Sequence, residues 1–183
     1  DGPPIKMAGI TYAKGLGMNS VNGADGTSQA YAGVVVALDG RYSRFQALVG
    51  IDDDAQGNGS VVFQVWADGV KLIDSGVVRG GAPPQWIDVD VSGKSTLRLV
   101  VTDAGDGYVY DHADWADARL TPVAQGGGGA PAPGYSYVGD MACVSSTNGY
   151  GPAERDMSVG DVRQGDGPPI KMAGITYAKG LGM

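Results

Sequence analysis

Residues 61–75 read Val-Val-Phe-Gln-Val-Trp-Ala-Asp-Gly-Val-Lys-Leu-Ile-Asp-Ser. The first seven are rich in β-branched and aromatic residues, and Asp68-Gly69 closes them with the strongest short hairpin signal in the chain. Val70 to Ser75 then pairs back. The odd positions Val61, Phe63 and Val65 share one face of such a strand, so they are expected in the core, with Val35 or Val36 and Leu99 opposite them.

The pattern continues on both sides of this hairpin. Upstream, Arg41–Ile51 places Phe45, Ala47 and Val49 on one parity. Before it come the apolar run 31–38 and a turn at Asp39-Gly40. Residues 1–18 read as two short strands about a turn at Ala8-Gly9, and 19–30 as a polar loop. Downstream, strands are expected at Gln85–Val91, Leu97–Thr102 and Asp114–Leu120. Strands punctuated by turns, with no convincing amphipathic helix, indicate an all-β sandwich or barrel.

Composition agrees. The 183 residues include 32 glycines and only 18% charged residues, a balance suited to many tight turns. The net charge of −7 disfavours nucleic acid as a partner, as it does an anionic membrane surface. No apolar run approaches the roughly 20 residues of a membrane span, so no membrane insertion is expected. The single cysteine, Cys143, is expected to be a small buried residue.

Residues 166–183 repeat residues 1–18 letter for letter, an offset of 165 residues. Residues 125–134 form a Gly/Pro/Ala linker. Residues 1–124 therefore read as the body of one module, and residues 135–183 as the N-terminal part of the next copy. Joined in the order 135–165 then 1–124, they make one complete unit. Neighbouring copies of the same module are the expected partners, each supplying the opening strands that another lacks. A filament or stalk is one reading of that periodicity, built either from sugar-binding modules or from a purely structural repeat without sugar binding. An engineered circular permutant is another.

In the rejoined order a family resemblance becomes visible. Ser145-Ser-Thr-Asn-Gly-Tyr-Gly-Pro-Ala-Glu-Arg-Asp156 resembles the opening motif of the NPCBM domains, a class that overlaps carbohydrate-binding module family 51. Thr11–Gly17, Leu38–Phe45, Val61–Gly69 and Tyr110-Asp-His-Ala-Asp-Trp-Ala-Asp-Ala118 resemble its later blocks, in order. The resemblance implies a galactose-binding-like jelly-roll β-sandwich, an accessory module in extracellular or cell-surface proteins, and galactose-containing glycans as ligands. Two positions depart from the pattern: Tyr150 stands where the family usually has Trp, and Met18-Asn19 where it usually has His-Ala.

Sugar recognition needs an aromatic face for the ring and fixed donors and acceptors for its hydroxyls. Asp111, His112, Asp114 and Trp115 supply both kinds within five residues. Tyr12, Lys14, Tyr150, Glu154 and Arg155 are expected to complete that site from neighbouring loops. The competing reading, preferred for Trp115 and Arg155, is that the indole plugs the core and the arginine pairs with an aspartate. Asp52, Asp53 and Asp54 are candidate Ca2+ ligands, since calcium takes six to eight oxygens. Related modules often hold a structural calcium, although solvated turn carboxylates are the plainer reading here. Asn58-Gly59-Ser60 fits a glycosylation sequon, with a simple turn as the alternative. No nucleophile elbow, metal cluster or phosphate loop is present, so no catalysis is expected.

Overall fold

The computed structural model describes residues 4–19, 31–123, 134–148, 153–156, 171–172 and 175–176, the last four and Glu154 for their backbone only. In chain order the strands are β1 (Lys6–Met7), β2 (Ile10–Thr11), β3 (Gly15–Asn19), β4 (Tyr31–Ala37), β5 (Tyr42–Ile51), β6 (Ser60–Ala67), β7 (Val70–Arg79) and β8 (Gln85–Asp90). They continue with β9 (Thr96–Thr102), β10 (His112–Pro122), β11 (Ser136–Tyr137), β12 (Cys143–Thr147), β13 (Glu154–Arg155), β14 (Lys171–Met172) and β15 (Ile175–Thr176). Helix among the described residues is limited to 3-10 turns at Asp53–Ala55 and Val138–Asp140.

Two antiparallel sheets face each other. One runs β13-β3-β10-β5-β8, with β11 also on β10; the other runs β12-β4-β9-β6-β7. The Asp68-Gly69 turn joins β6 to β7 with both residues at positive φ, 49° and 78°. That is the type I′ geometry whose twist matches the flanking strands. Val61, Phe63 and Val65 are fully buried, as are Leu99 and, at 1% exposure, Val36. Val36 and Leu99 are not opposite them, however. β4, β9 and β6 are neighbours in one sheet, and Val65 pairs directly with Leu99. The residues across the core come from the other sheet: Phe45, Val49, Trp115 and Leu120.

Residues 4–12 fold as the expected hairpin and cover part of the outer face of the β3-β10-β5 sheet. Ile5 and Met7 bury themselves there against Ala116, with Tyr12 and Leu48 at the margin. Glycine makes the close approach possible. A Cβ at Gly15 would lie 2.7 Å from Ile5 Cδ1, and one at Gly50 would lie 2.7 Å from Met7 Sδ.

Described residues of 134–156 pair within the single chain. β11 pairs with β10, β12 with β4 and β13 with β3, so this segment completes both sheets of its own chain. Residues 4–123 leave open edges at β3 and β4, and the linker length lets the chain's own tail satisfy them. The expected first strand at Tyr135 shrinks to the two residues of β11 before a 3-10 turn. Cys143 also departs from expectation. It lies exposed on β12, which is an edge strand among the described residues. The linker, apart from Gly134, and the 20–30 loop lie outside the described residues. In the repeated segment Lys171 pairs with Thr176 and Met172 with Ile175, the register of Lys6 with Thr11 and Met7 with Ile10.

Candidate functional site

The β5–β6, β7–β8 and β9–β10 connections gather at one end of the sandwich. The first is shaped by Asp52, whose carboxylate accepts from Asp54 N at 2.8 Å and caps the 3-10 turn. The chain then turns through Gly57 and Gly59 at positive φ. A Cβ at Gly59 would lie 2.2 Å from Tyr110 O, and one at Gly80 would lie 2.0 Å from Asn58 O. Glycine at these points lets three loops touch through backbone alone.

Between them opens a cleft of about 330 Å³ lined by Gly57, Gly59, Ser60, Arg79, Gly80, Asp106, Gly107 and Val109. That volume is at the lower end of ordinary small-ligand sites. Its polar wall is pre-organised. Ser60 Oγ donates to Asp106 at 2.6 Å, and Ser60 N donates to the buried Asp111 at 3.0 Å. Val109 in that lining is 66% exposed, and its chain neighbours Tyr108 and Tyr110 are 44% and 50% exposed. Tyr110 sits at φ 66°, a conformation bulky residues rarely adopt. Aromatic side chains near fixed polar groups are what sugar recognition requires.

The residues singled out from sequence divide. Asp111 and His112 reach this end of the fold. His112 Nδ1 lies 2.8 Å from Asp54 Oδ1, and that hydrogen bond holds the imidazole pKa above its ordinary value despite partial burial. Asp114 and Trp115 are fully buried. The indole packs between Phe45 and Phe63, edge-on to Phe63 at 5.1 Å, and offers no face to a ligand. Burial also raises the pKa of Asp52, which hydrogen-bonds Asp114.

Tyr12, Lys14 and Arg155 lie elsewhere. Asn19 pairs with His112 but Gly15 with Ala116, which sets Lys14 about 16 Å from the cleft end at ordinary strand rise. Lys14 Nζ bridges Asp140 at 2.7 Å and Asp156 at 2.8 Å. Burial pulls the ammonium down, but those two carboxylates outweigh it and raise its pKa. Asp156 also accepts from Gly15 N. Lys14 is thus a strut fastening residues 134–156 to β3. Tyr12 packs beside Ile5, its pKa raised by burial and by Asp117. Arg155 is exposed and pairs through its backbone with Leu16. The Glu154 side chain and Tyr150 lie outside the described residues.

Each of the three consecutive aspartates already has a partner within the chain. Asp52 accepts from Lys6 N, Asp53 from Gly9 N, and Asp54 meets His112. Among the described residues no three acidic, histidine or cysteine side chains gather to hold a metal. Asn58 is exposed, yet its Nδ2 donates to Ala55 O at 3.0 Å, and Ser60 is buried. A glycan on Asn58 therefore requires that turn to open.

The NPCBM/NEW2 domain profile matches residues 1–121 and 134–183. The chain belongs to the NPCBM/NEW2 domain family. That domain is a carbohydrate-binding, non-catalytic type of module. This NPCBM chain is 31% identical to the CBM51 module of a Clostridium perfringens GH95 protein, solved in complex with methyl-galactose; the match has a TM-score of 0.55 and covers 66% of this chain and 81% of that one. It is 31% identical, with a TM-score of 0.54, to a structure from C. perfringens ZmpB containing a second such module in complex with GlcNAc, covering 66% of this chain and 25% of that one. Among curated proteins it is 36% identical over 129 residues to one named as an endo-alpha-N-acetylgalactosaminidase in Renibacterium salmoninarum, covering 68% of this chain and 8% of that protein. It is also 30% identical over 125 residues to alpha-1,3-galactosidase B of Akkermansia muciniphila, covering 68% and 15%. The chain thus spans only a small part of the curated relatives it matches.

Proposed function

We propose that this chain binds galactose-type or N-acetylated hexoses as a non-catalytic module of an extracellular protein. The sugar sits in the cleft between residues 57–60, 79–80 and 106–109. The observation that carries this is a cleft lined by Arg79, Asp106, Ser60 and Val109, with the exposed Tyr108 and Tyr110 as the chain neighbours of Val109. The rings cover the C–H face of a pyranose while the polar groups meet its hydroxyls. Supporting the sugar class are the methyl-galactose and GlcNAc complexes of related modules.

Calorimetric titration with methyl galactoside and with GlcNAc tests it. Tyr108→Ala and Tyr110→Ala are expected to weaken binding about tenfold or more, as loss of an aromatic contact does. Arg155→Ala is expected to leave it unchanged. Undiminished affinity in a folded Tyr108→Ala, Tyr110→Ala double variant refutes the cleft as the sugar site.

The duplicated 18 residues favour a second, compatible reading: the unit is repeated in tandem at the cell surface, with several weak sites acting together. Supporting it are the 165-residue offset, the profile match to both segments and the common register of the two strand pairs. The pairing of residues 134–156 within one chain instead favours a permuted single module. Small-angle scattering of a chain bearing two units separates these: two resolved beads fit the tandem reading, and one misassembled body rejects it.

A further inference from the structure

The hairpin of residues 4–12 covers only part of the outer face of its sheet, and beyond it the face is furnished differently. Trp86 on β8 is the cross-strand partner of Leu48, which lies at the hairpin's margin, yet Trp86 remains 48% exposed. Next to it, the Arg119 guanidinium lies 5.6 Å from the Trp86 ring and 4.3 Å from that of Tyr135, itself 49% exposed.

A transverse row of planar polar groups holds the arginine in place. Asp88 on β8 and Arg119 on β10 both pair with Gln46 on β5. Arg119 Nε donates to Gln46 Oε1 at 3.4 Å, and Gln46 Nε2 donates to Asp88 at 3.2 Å. Arg44 meets the other oxygen of Asp88 through two nitrogens, at 2.8 and 2.7 Å. Asp117, set at a bulge in β10, pairs with Arg119 at the far end. Two cations and two anions balance, so the strip carries no net charge in a chain of net charge −7.

We propose that this strip is a second glycan-contact surface, which seats one unit of an uncharged oligosaccharide against Trp86, Arg119 and Tyr135. The assignment rests on the sugar-binding reading of the module but concerns a different face from the cleft. Two half-exposed rings supply apolar contact for pyranose C–H groups. Guanidinium, amide and carboxylate offer donors and acceptors in fixed positions to paired hydroxyls, with little ordering left to do on binding. The internal neutrality of the strip disfavours acidic glycans and strongly charged protein partners.

The test is retardation of the whole chain in native gels cast with a linear, uncharged galactan, beside titration with methyl galactoside. Wild type is expected to be retarded. Trp86→Ala and Tyr135→Ala should each raise the apparent Kd about fivefold to tenfold, the scale of a lost aromatic contact. Both should leave methyl galactoside binding unchanged, and Trp86→Phe should recover most of the retardation. Thermal melting confirms that each variant is folded. Wild-type retardation in Trp86→Ala overturns the proposal, as does a wild type that binds methyl galactoside but runs freely through galactan. Loss of both ligands by the wild type refutes the cleft reading as well. If Trp86→Ala instead converts a sedimenting dimer to a monomer, the face belongs to a second copy of the chain and the sugar assignment falls.

Discussion

Replacing Trp115 by alanine separates a core role from a ligand role. The side chain has no exposed surface, with Phe45 at 6.1 Å and Phe63 at 5.1 Å between ring centroids. Truncating a buried Trp to Ala costs about 3–5 kcal/mol through lost transfer energy and the cavity left behind. The edge-to-face contact adds about 0.5–1.5 kcal/mol beyond area. The expected loss is therefore about 4–5 kcal/mol, a large share of the roughly 5–15 kcal/mol that holds a domain together. At a urea dependence of about 2 kcal/mol per molar, the unfolding midpoint falls by about 2 M. Trp115→Phe should cost much less, about 1–2 kcal/mol. It keeps an aromatic ring and removes an indole N–H that has no hydrogen-bond partner among the described residues, itself a penalty of about 1–3 kcal/mol. Urea unfolding followed by far-UV circular dichroism reads both. A Trp115→Ala chain that unfolds at the wild-type midpoint yet loses methyl galactoside binding refutes this account and returns Trp115 to the sugar site.

Two further outcomes follow from the loops. His112 has a raised pKa in the folded chain, chiefly through Asp54, so the pair's stabilisation is complete below the unfolded value near 6.5 and disappears as pH rises through the folded value. His112→Gln should lower the melting temperature on the acid side of that range, where the pair's stabilisation is complete, and leave the alkaline side unchanged; an unaltered profile removes the pair from the account. Gly59→Ala combines φ 84° with a 2.2 Å contact to Tyr110 O and should destabilise by about 1–3 kcal/mol while weakening galactoside affinity, both measurable on one sample. A neutral effect on both would show that the loops do not need their present approach.

The body strands were legible because they carry two independent signals, alternation and a turn residue. Asp68-Gly69 and the parity of Phe45, Ala47 and Val49 sufficed to place β5, β6 and β7. Alternation reports which face a residue takes but not which strand lies beside it. Val36 and Leu99 were therefore expected across the core, although β4, β9 and β6 share one sheet. β11 and β13 are two residues long, too short for any period to show, and their partners lie over a hundred positions away in the case of β13 and Leu16. Cys143 follows the composition of a buried strand but lies on an edge. The candidate cleft was half visible. Asp111 and His112 follow from motif chemistry, whereas the cleft depends on three loops meeting through Gly59 and Gly80. The signal passed over was Tyr108-Val109-Tyr110 directly after Gly105-Asp-Gly107, apolar residues where a turn calls for polar ones. Trp86 gave no sign of exposure, because its neighbours alternate as any strand does.

The docking of residues 134–156 also sets an entropy of chain closure. Asn148 accepts from Asn19 N across 129 residues of sequence, and Gly15 N reaches Asp156 across 141. In a protein repeating the unit every 165 residues, the Asn148 equivalent of the preceding unit would precede Asn19 by only 36. Closure cost grows with the logarithm of loop length, so the shorter route is favoured by about 1 kcal/mol for the same contacts. Short-range pairing also forms sooner during folding. As a tandem array emerges from the ribosome, each module would therefore be closed first by the strands made just before it. The long return within one chain would then be the slower alternative, taken only where no earlier copy is at hand.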